Sequence, residues 1–257
     1  MSARTLKDKV AVIAGGGKNL GALIAHNFAD AGVRGLALHY NSDASRTDTE
    51  ATAAALQARG VDAITVQGDL SVVDNNRALF DRAKAHFGRV DVAVNTAGVV
   101  IKKAIADVTE ADYDRSFDAN AKAAFFFIQQ AGRTLENGGG IVTLVSSLLA
   151  AYTPYYAIYP ASKAAVEHFT RAASKEFGER GINVNAVGPG PMDTPFFYGQ
   201  ESAEAVAYHS SAAALSGFSK KGLTDIEDIA PIIRFLVTEG WWITGQTIFA
   251  NGGYTTR

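Results

Sequence analysis

Residues 10–21, VAVIAGGGKNLG, decide the fold. Val10 to Ala14 form a short run of unbroken apolarity, the pattern of a strand buried on both faces. Three glycines follow, and a helical pattern begins near Leu20. Strand, glycine turn and helix are the setting of a phosphate-binding loop, because glycines let the backbone approach a pyrophosphate and the helix N-terminus offers unpaired N–H groups. The same stretch also reads as a plain tight turn. Asn19 stands where such loops usually carry glycine, yet Asn is among the few other residues that enter the left-handed region at modest cost.

Working outward, further β-rich apolar runs occur at 35–39, 63–67, 90–95, 141–146, 182–187 and 246–250. Helical patterns fill the intervals at 21–31, 48–59, 73–87, 111–135, 162–179 and 225–239. Strand and helix alternating over the whole length predict an α/β fold, a parallel sheet with helices on both faces. No repeat or low-complexity segment interrupts the alternation, so residues 1–257 read as one domain. The least regular piece, about 193–223, follows the sixth strand, and ligands in open α/β sheets bind beyond the carboxyl ends of the strands. That segment is expected to cover a substrate.

Composition narrows the function. The chain has 257 residues, 47% of them hydrophobic, and a net charge of -2. With no basic surplus, nucleic acid is not an expected partner. The absence of cysteine removes disulfides, thiolate nucleophiles and Cys-ligated zinc. His26, His39, His86, His168 and His209 lack metal-ligand spacing, and no Gly-x-Ser-x-Gly elbow occurs. The apolar run near the start is too short for a signal peptide or membrane span, so a cytoplasmic protein without membrane attachment is expected.

Four ordered motifs carry a resemblance: AGGGKNLG at 14–21, NTAG at 95–98, YPASK at 159–163 and NAVGPGPMDTP at 185–195. Together they resemble the short-chain dehydrogenase/reductase family over essentially the whole chain, which implies a single Rossmann-type doubly wound sheet. In that family's first turn, Thr-Gly-x-x-x-Gly-Ile/Leu-Gly, Gly15, Leu20 and Gly21 match while Ala14 and Asn19 depart. The resemblance implies that Asn95, Ala97 and Gly98 pack beside a nicotinamide cofactor, Thr96 replacing the usual second Asn. It implies that Asp69, followed by Leu70, contacts adenine, although an Asp after a strand also reads as a helix cap. It further implies that Pro189, Gly190, Met192 and Thr194 clasp the nicotinamide carboxamide.

An acid at the end of the second strand favours NAD over NADP. Here Tyr40, Asn41 and Ser42 stand there instead, with no acid before Asp43, and Lys18 falls where NADP-using relatives often carry a basic residue. NADP(H) is therefore expected ahead of NAD(H), with turn formation as the other reading of Asn41 and Ser42.

Tyr159 and Lys163 are four apart at the start of a predicted helix and share one face. The resemblance makes Tyr159 the catalytic acid, Lys163 its charge partner and ribose ligand, and Asn120 the holder of a water behind Lys163, although Asn120 also reads as a helix-interior Asn paired with backbone. Acid–base use of a tyrosine requires its pKa to fall by about 3 units, or ~4 kcal/mol. A positive charge at about 5 Å and an effective dielectric of about 20 supplies roughly 3.3 kcal/mol. A serine should orient the substrate oxygen. Aligning SSLLA with Ser-Ser-x-x-Gly makes Ser147 the first choice; it leaves twelve positions to the tyrosine where thirteen is commoner in relatives, so Ser146 is the second choice.

The implied activity is hydride transfer between NADP(H) and a ketone or alcohol carbon. A 3-oxoacyl thioester reductase, a C=C reductase and an NADPH-binding sensor or assembly subunit are the alternatives. Tyr155, Tyr156, Phe196, Phe197 and Tyr208 read either as an apolar substrate pocket or as core and subunit-contact residues. The resemblance also implies a homotetramer.

Overall fold

The alternating pattern yields seven strands and nine helices in a computed structural model that describes residues 4–151 and 153–256. The order is β1 (Val10–Ala14), α1 (Asn19–Asp30), β2 (Gly35–Tyr40), α2 (Arg46–Gln57), β3 (Asp62–Gln67), α3 (Val73–Phe87) and β4 (Val92–Asn95). Then come α4 (Glu110–Phe117), α5 (Ala123–Thr134), β5 (Gly140–Leu144), α6 (Ile158–Glu176) and β6 (Asn183–Pro189). The chain finishes with α7 (Pro195–Tyr198), α8 (Ala203–Ala212), α9 (Ile226–Val237) and β7 (Thr247–Ala250). All seven strands pair in parallel in the order β3-β2-β1-β4-β5-β6-β7.

Every residue of β1, β5 and β6 is buried, as expected of strands covered on both sides. One face packs under α1 and α9, with Ile24, Phe28, Ile233 and Leu236 in its core. The other packs under α3 and α5, where Phe80 and Phe127 meet edge to face at 5.1 Å. Each fully buried Val, Leu, Ile or Phe contributes roughly 1.5–3 kcal/mol relative to exposure. At the lower end of the sheet, the Asp91 carboxylate accepts from Val10 N at 3.0 Å, Arg89 Nε at 2.9 Å and Lys9 Nζ at 3.2 Å. Burial works to raise that carboxyl, but these bonds outweigh it and hold Asp91 below its ordinary range.

Three expectations change. The helix expected over 111–135 is broken into α4 and α5 by a wide π turn, Asp118–Lys122. The fifth strand ends at Leu144, so both candidate serines lie beyond it, Ser147 opening a short 3-10 turn, Ser147–Ala150. Finally, α6 begins four residues before the expected 162, which puts Tyr159 inside its first turn.

The chain reverses its direction of travel across the sheet between β1 and β4. There the register sets Ala14 beside both His39 and Asn95. A cleft opens at the carboxyl ends of the strands at such a switch point.

Candidate active site

The glycine turn is held from three sides. Gly15 has φ +70, and Asn19 occupies the left-handed region at φ +48, the conformation that its side chain tolerates. A Cβ at Gly21 would stand 2.0 Å from the Gly15 carbonyl oxygen, so α1 approaches the turn at a distance open only to glycine. On the outer side, Thr52 Oγ1 donates to Gly17 O at 2.9 Å. A Cβ at Gly17 would stand 1.9 Å from Thr49 Oγ1. On the inner side, His39 Nε2 donates to Gly68 O at 2.6 Å and Nδ1 accepts from Gly15 N at 3.4 Å. Burial lowers the His39 pKa, consistent with a neutral ring carrying its proton on Nε2.

Lys18 precedes helix α1 as its N-cap residue, with no side-chain cap bond, and the first turn carries no acid. Its leading N–H groups lack the partners that would oppose an anion. These features fit a dinucleotide pyrophosphate: a cradle that a Cβ would fill, beside an uncapped helix end.

From this turn a cleft runs past Tyr40 and Asn41, along Ala97 and Gly98, to Lys163, Tyr159, Pro189, Met192 and Thr194. Lys18, Asn19 and Leu20 line its near end. Ser42, Asp69 and Leu70 border an adjoining hollow that shares Asn41, Ala97 and Gly98 with the cleft. Asn95 is buried behind the wall, its Oδ1 accepting from Ala97 N at 3.0 Å. The Asp69 Oδ1 accepts from Ser71 N at 2.9 Å and so closes the turn ahead of α3.

Sequence reasoning missed Ser45 and Thr49, which also line the cleft, and Arg46. The Arg46 guanidinium lies 5.7 Å from the centroid of the Tyr40 ring, which lines the cleft, and pairs with Asp43 at 2.7 Å. A basic residue at the first position of the helix after β2 was the available signal.

Tyr159 and Lys163 are both buried and face the cleft from α6. Burial pushes the Tyr159 phenol up to about 12, partly opposed by a hydrogen bond with Ser146. Burial likewise pushes Lys163 down to about 8. Its ammonium donates to Leu144 O at 2.9 Å. The expected lowering of the tyrosine is therefore not seen in the protein by itself: desolvation is the dominant effect on both groups.

Of the two serines, Ser146 meets Tyr159, and its Oγ also accepts from Leu148 N at 3.2 Å. The interaction with Tyr159 supports the serine at the thirteen-residue spacing over the one that the alignment favours. Both serines are buried and line the neighbouring pocket.

Asn120 sits in the π turn and is bound to backbone, donating to Val99 O and accepting from Val99 N, both at 2.9 Å. It also donates to Ser162 Oγ at 3.1 Å. A Cβ at Gly98 would lie 2.8 Å from Asn120 Oδ1 and 3.2 Å from Lys163 Nζ, so Gly98 admits both side chains to one corner.

A second pocket opens beyond Tyr159 and shares Val145, Pro189, Met192, Thr194 and Phe196 with the cleft. Gly190 lines it rather than the cleft, and Tyr156, Phe196 and Phe197 line it too, which favours the pocket reading for these three. Tyr155 and Tyr208 do not: they are 56% and 64% exposed. Tyr155 takes φ +72, turning the chain so that its neighbour Tyr156 faces inward. Tyr208 precedes His209 by about 100° of helix rotation, and His209 is the one that faces the pocket.

The pocket also holds polar groups that the sequence did not disclose. Glu201, its side chain 1% exposed, accepts from Lys102 Nζ at 2.5 Å and from the Tyr156 hydroxyl. Nearby, the Tyr254 hydroxyl and His209 Nδ1 are 2.8 Å apart. Among the described residues no cluster suits a metal ion, and no helix is long and apolar enough to cross a membrane.

The chain is similar to known proteins over its whole fold. A family model described as enoyl-(acyl carrier protein) reductase matches residues 15–255. A Burkholderia cenocepacia protein solved with bound NADP superposes with a TM-score of 0.98 at 62% identity, covering 100% of this chain and 97% of that one. The short chain dehydrogenase/reductase nsrJ of Aspergillus novofumigatus is 34% identical, over 96% of each chain. A chloroplastic NADPH-dependent aldehyde reductase-like protein of Arabidopsis thaliana is also 34% identical, over 97% of this chain and 95% of its own.

Proposed function

Since the chain belongs to the short-chain dehydrogenase/reductase family, we propose that it is an NADP(H)-dependent enzyme that reduces a carbonyl compound and oxidises the corresponding alcohol. The observation that carries this reading is that Tyr159 lines both the nucleotide cleft, with Lys163, and the second pocket, with Ser146. Bound in the cleft, NADPH supplies the hydride. Ser146 donates to the substrate oxygen, and Tyr159 gives that oxygen its proton. Protonated Lys163 stabilises the phenolate left on Tyr159 and binds ribose. Asn120 holds a water on the proton path behind Lys163.

Preference for NADP(H) is supported by Lys18, Tyr40 and Asn41 lining the cleft, by Arg46 over the Tyr40 ring, and by Ser42 on the adjoining wall. Asp69 and Leu70 border the adenine end, and Gly190 and Thr194 the nicotinamide end. The single domain includes a cover formed by α7, α8 and the turns that follow them, consistent with Phe196, Phe197 and Glu201 lining the pocket. A homotetramer, for which exposed Phe125 and Phe235 supply apolar surface, and a cytoplasmic location complete the reading.

The four-residue step from Tyr159 to Lys163 and the serine partner favour reduction of C=O over C=C, despite the description of the matching family model. The test is the initial rate of NADPH and NADH oxidation over ketones, 3-oxoacyl thioesters and enones. The expected result is NADPH-preferring carbonyl reduction, lowered about 10² to 10⁴-fold in Tyr159→Phe. Wild-type rates in that variant would overturn the assignment.

A further inference from the structure

The far end of the substrate pocket is polar. Glu201 lies there on the cover, its Oε2 bound to Lys102 and its Oε1 to the Tyr156 hydroxyl. A carboxylate oxygen accepts more than one hydrogen bond, so each retains acceptor capacity. The ion pair is internally balanced, leaving no surplus positive charge for an anion, and a substrate carboxylate or phosphate would meet Glu201.

Beside it, His209 stands edge to face with Phe197 at 5.6 Å and bonds Tyr254 through Nδ1. Its Nε2 has no hydrogen-bond partner among the described residues. Burial lowers the His209 pKa and raises Tyr254 to about 12, so both stay neutral near pH 7. If Tyr254 donates to Nδ1, Nε2–H is a donor; in the other tautomer the Tyr254 O–H is free and Nε2 accepts. Either way the pair has a donor to offer, in the pocket that the Glu201 carboxylate also lines.

A donor and an acceptor in one pocket complement a hydroxyl, which is both. The same pocket is lined by the apolar side chains of Val145, Met192, Phe196 and Phe197, and by Gln200 and Thr153 besides the polar groups above. We infer that the substrate is an uncharged carbonyl compound bearing a hydroxyl group remote from the reacting carbon, held by Glu201 and the His209–Tyr254 pair.

The inference rests on the carbonyl-reductase reading, and its test separates the two. The probes are methyl ketones of four, five and six carbons, their terminal-hydroxy counterparts and a terminal-carboxylate counterpart, each with NADPH. The readouts are kcat/KM and the thermal shift of the enzyme–NADPH complex. Variants are His209→Phe, which keeps an aromatic ring against Phe197, and Tyr254→Phe.

At the chain length that spans the pocket, the hydroxy ketone should exceed its plain analogue by about tenfold or more in kcat/KM, because a site built to bond a hydroxyl disfavours the analogue that leaves it unpaired. The ratio should fall toward one in both variants, and the carboxylate should be the poorest substrate. Plain ketones turned over as well as hydroxy ketones at every length, or a preferred carboxylate, would overturn the inference and leave carbonyl reduction standing. Should no ketone react while the hydroxy compounds alone raise the melting temperature, the pocket preference survives and the reductase reading fails. No turnover and no shift from any probe overturns both.

Discussion

Lys163 offers a prediction in which one proton is read twice. Burial places its pKa at about 8, against 10.5 for an unhindered lysine. The difference of about 2.5 units corresponds to about 3 kcal/mol acting against the ammonium in the folded protein. Because the folded pKa is depressed, the unfolded chain binds more protons between about pH 8 and about pH 10.5, and folding stability rises with pH across that window. Below it both states are protonated and the lysine adds no slope. Comparing wild type with Lys163→Met by calorimetry cancels the titration of every other group. The wild type should gain about 3 kcal/mol relative to the variant across the window, or roughly 6–12 °C in melting temperature. The variant itself should be as stable as wild type or more so at neutral pH while losing activity, since the charge is retained for chemistry rather than for folding. In the same window, kcat/KM for NADPH, which reports the free enzyme, should fall about tenfold per pH unit above about 8. Parallel stability curves, or a rate that stays level to about pH 10, would refute the argument that burial governs this lysine.

The remaining predictions concern the turn, the serines and the sheet. Asn19→Gly should keep NADPH affinity within about threefold, whereas Asn19→Val, forced to φ +48, should weaken it about tenfold in a fluorescence titration; equal affinity in the valine variant would remove the significance given to that conformation. Ser146→Ala should lower kcat about 10² to 10³-fold and Ser147→Ala less than about tenfold, and the reverse order would restore the choice of Ser147. Asp91→Ala strips three donors, including the Val10 amide, of their acceptor and should cost about 2–3 kcal/mol in chemical denaturation; a change within error would count against the anchor.

The sheet was legible because its strands are apolar nearly throughout and glycine or polar residues punctuate them. The glycine turn was legible for the same local reason, down to the left-handed Asn19. What escaped was non-local. Lys102 and Glu201 are 99 residues apart, and His209 and Tyr254 are 45 apart; no periodicity announces either pair. The choice between Ser146 and Ser147 depends on where β5 stops, and an element's end is set by tertiary packing more than by its own residues. Tyr155 and Tyr156 are chemically alike, and one backbone angle sends them to opposite environments.

The wide turn between α4 and α5 is a matter of phase. An α-helix advances about 100° per residue, so one residue of excess winding rotates everything beyond it by that amount relative to an uninterrupted helix. The side chains of α5 thus keep the timing that suits α3 and the sheet, while Asn120 is released from that timing and turned toward Val99. Removing one residue from 118–122 would give a more regular helix whose amide points elsewhere. The irregularity lets a single continuous stretch of chain obey two different clocks, one set by the core and one by the corner beside Gly98.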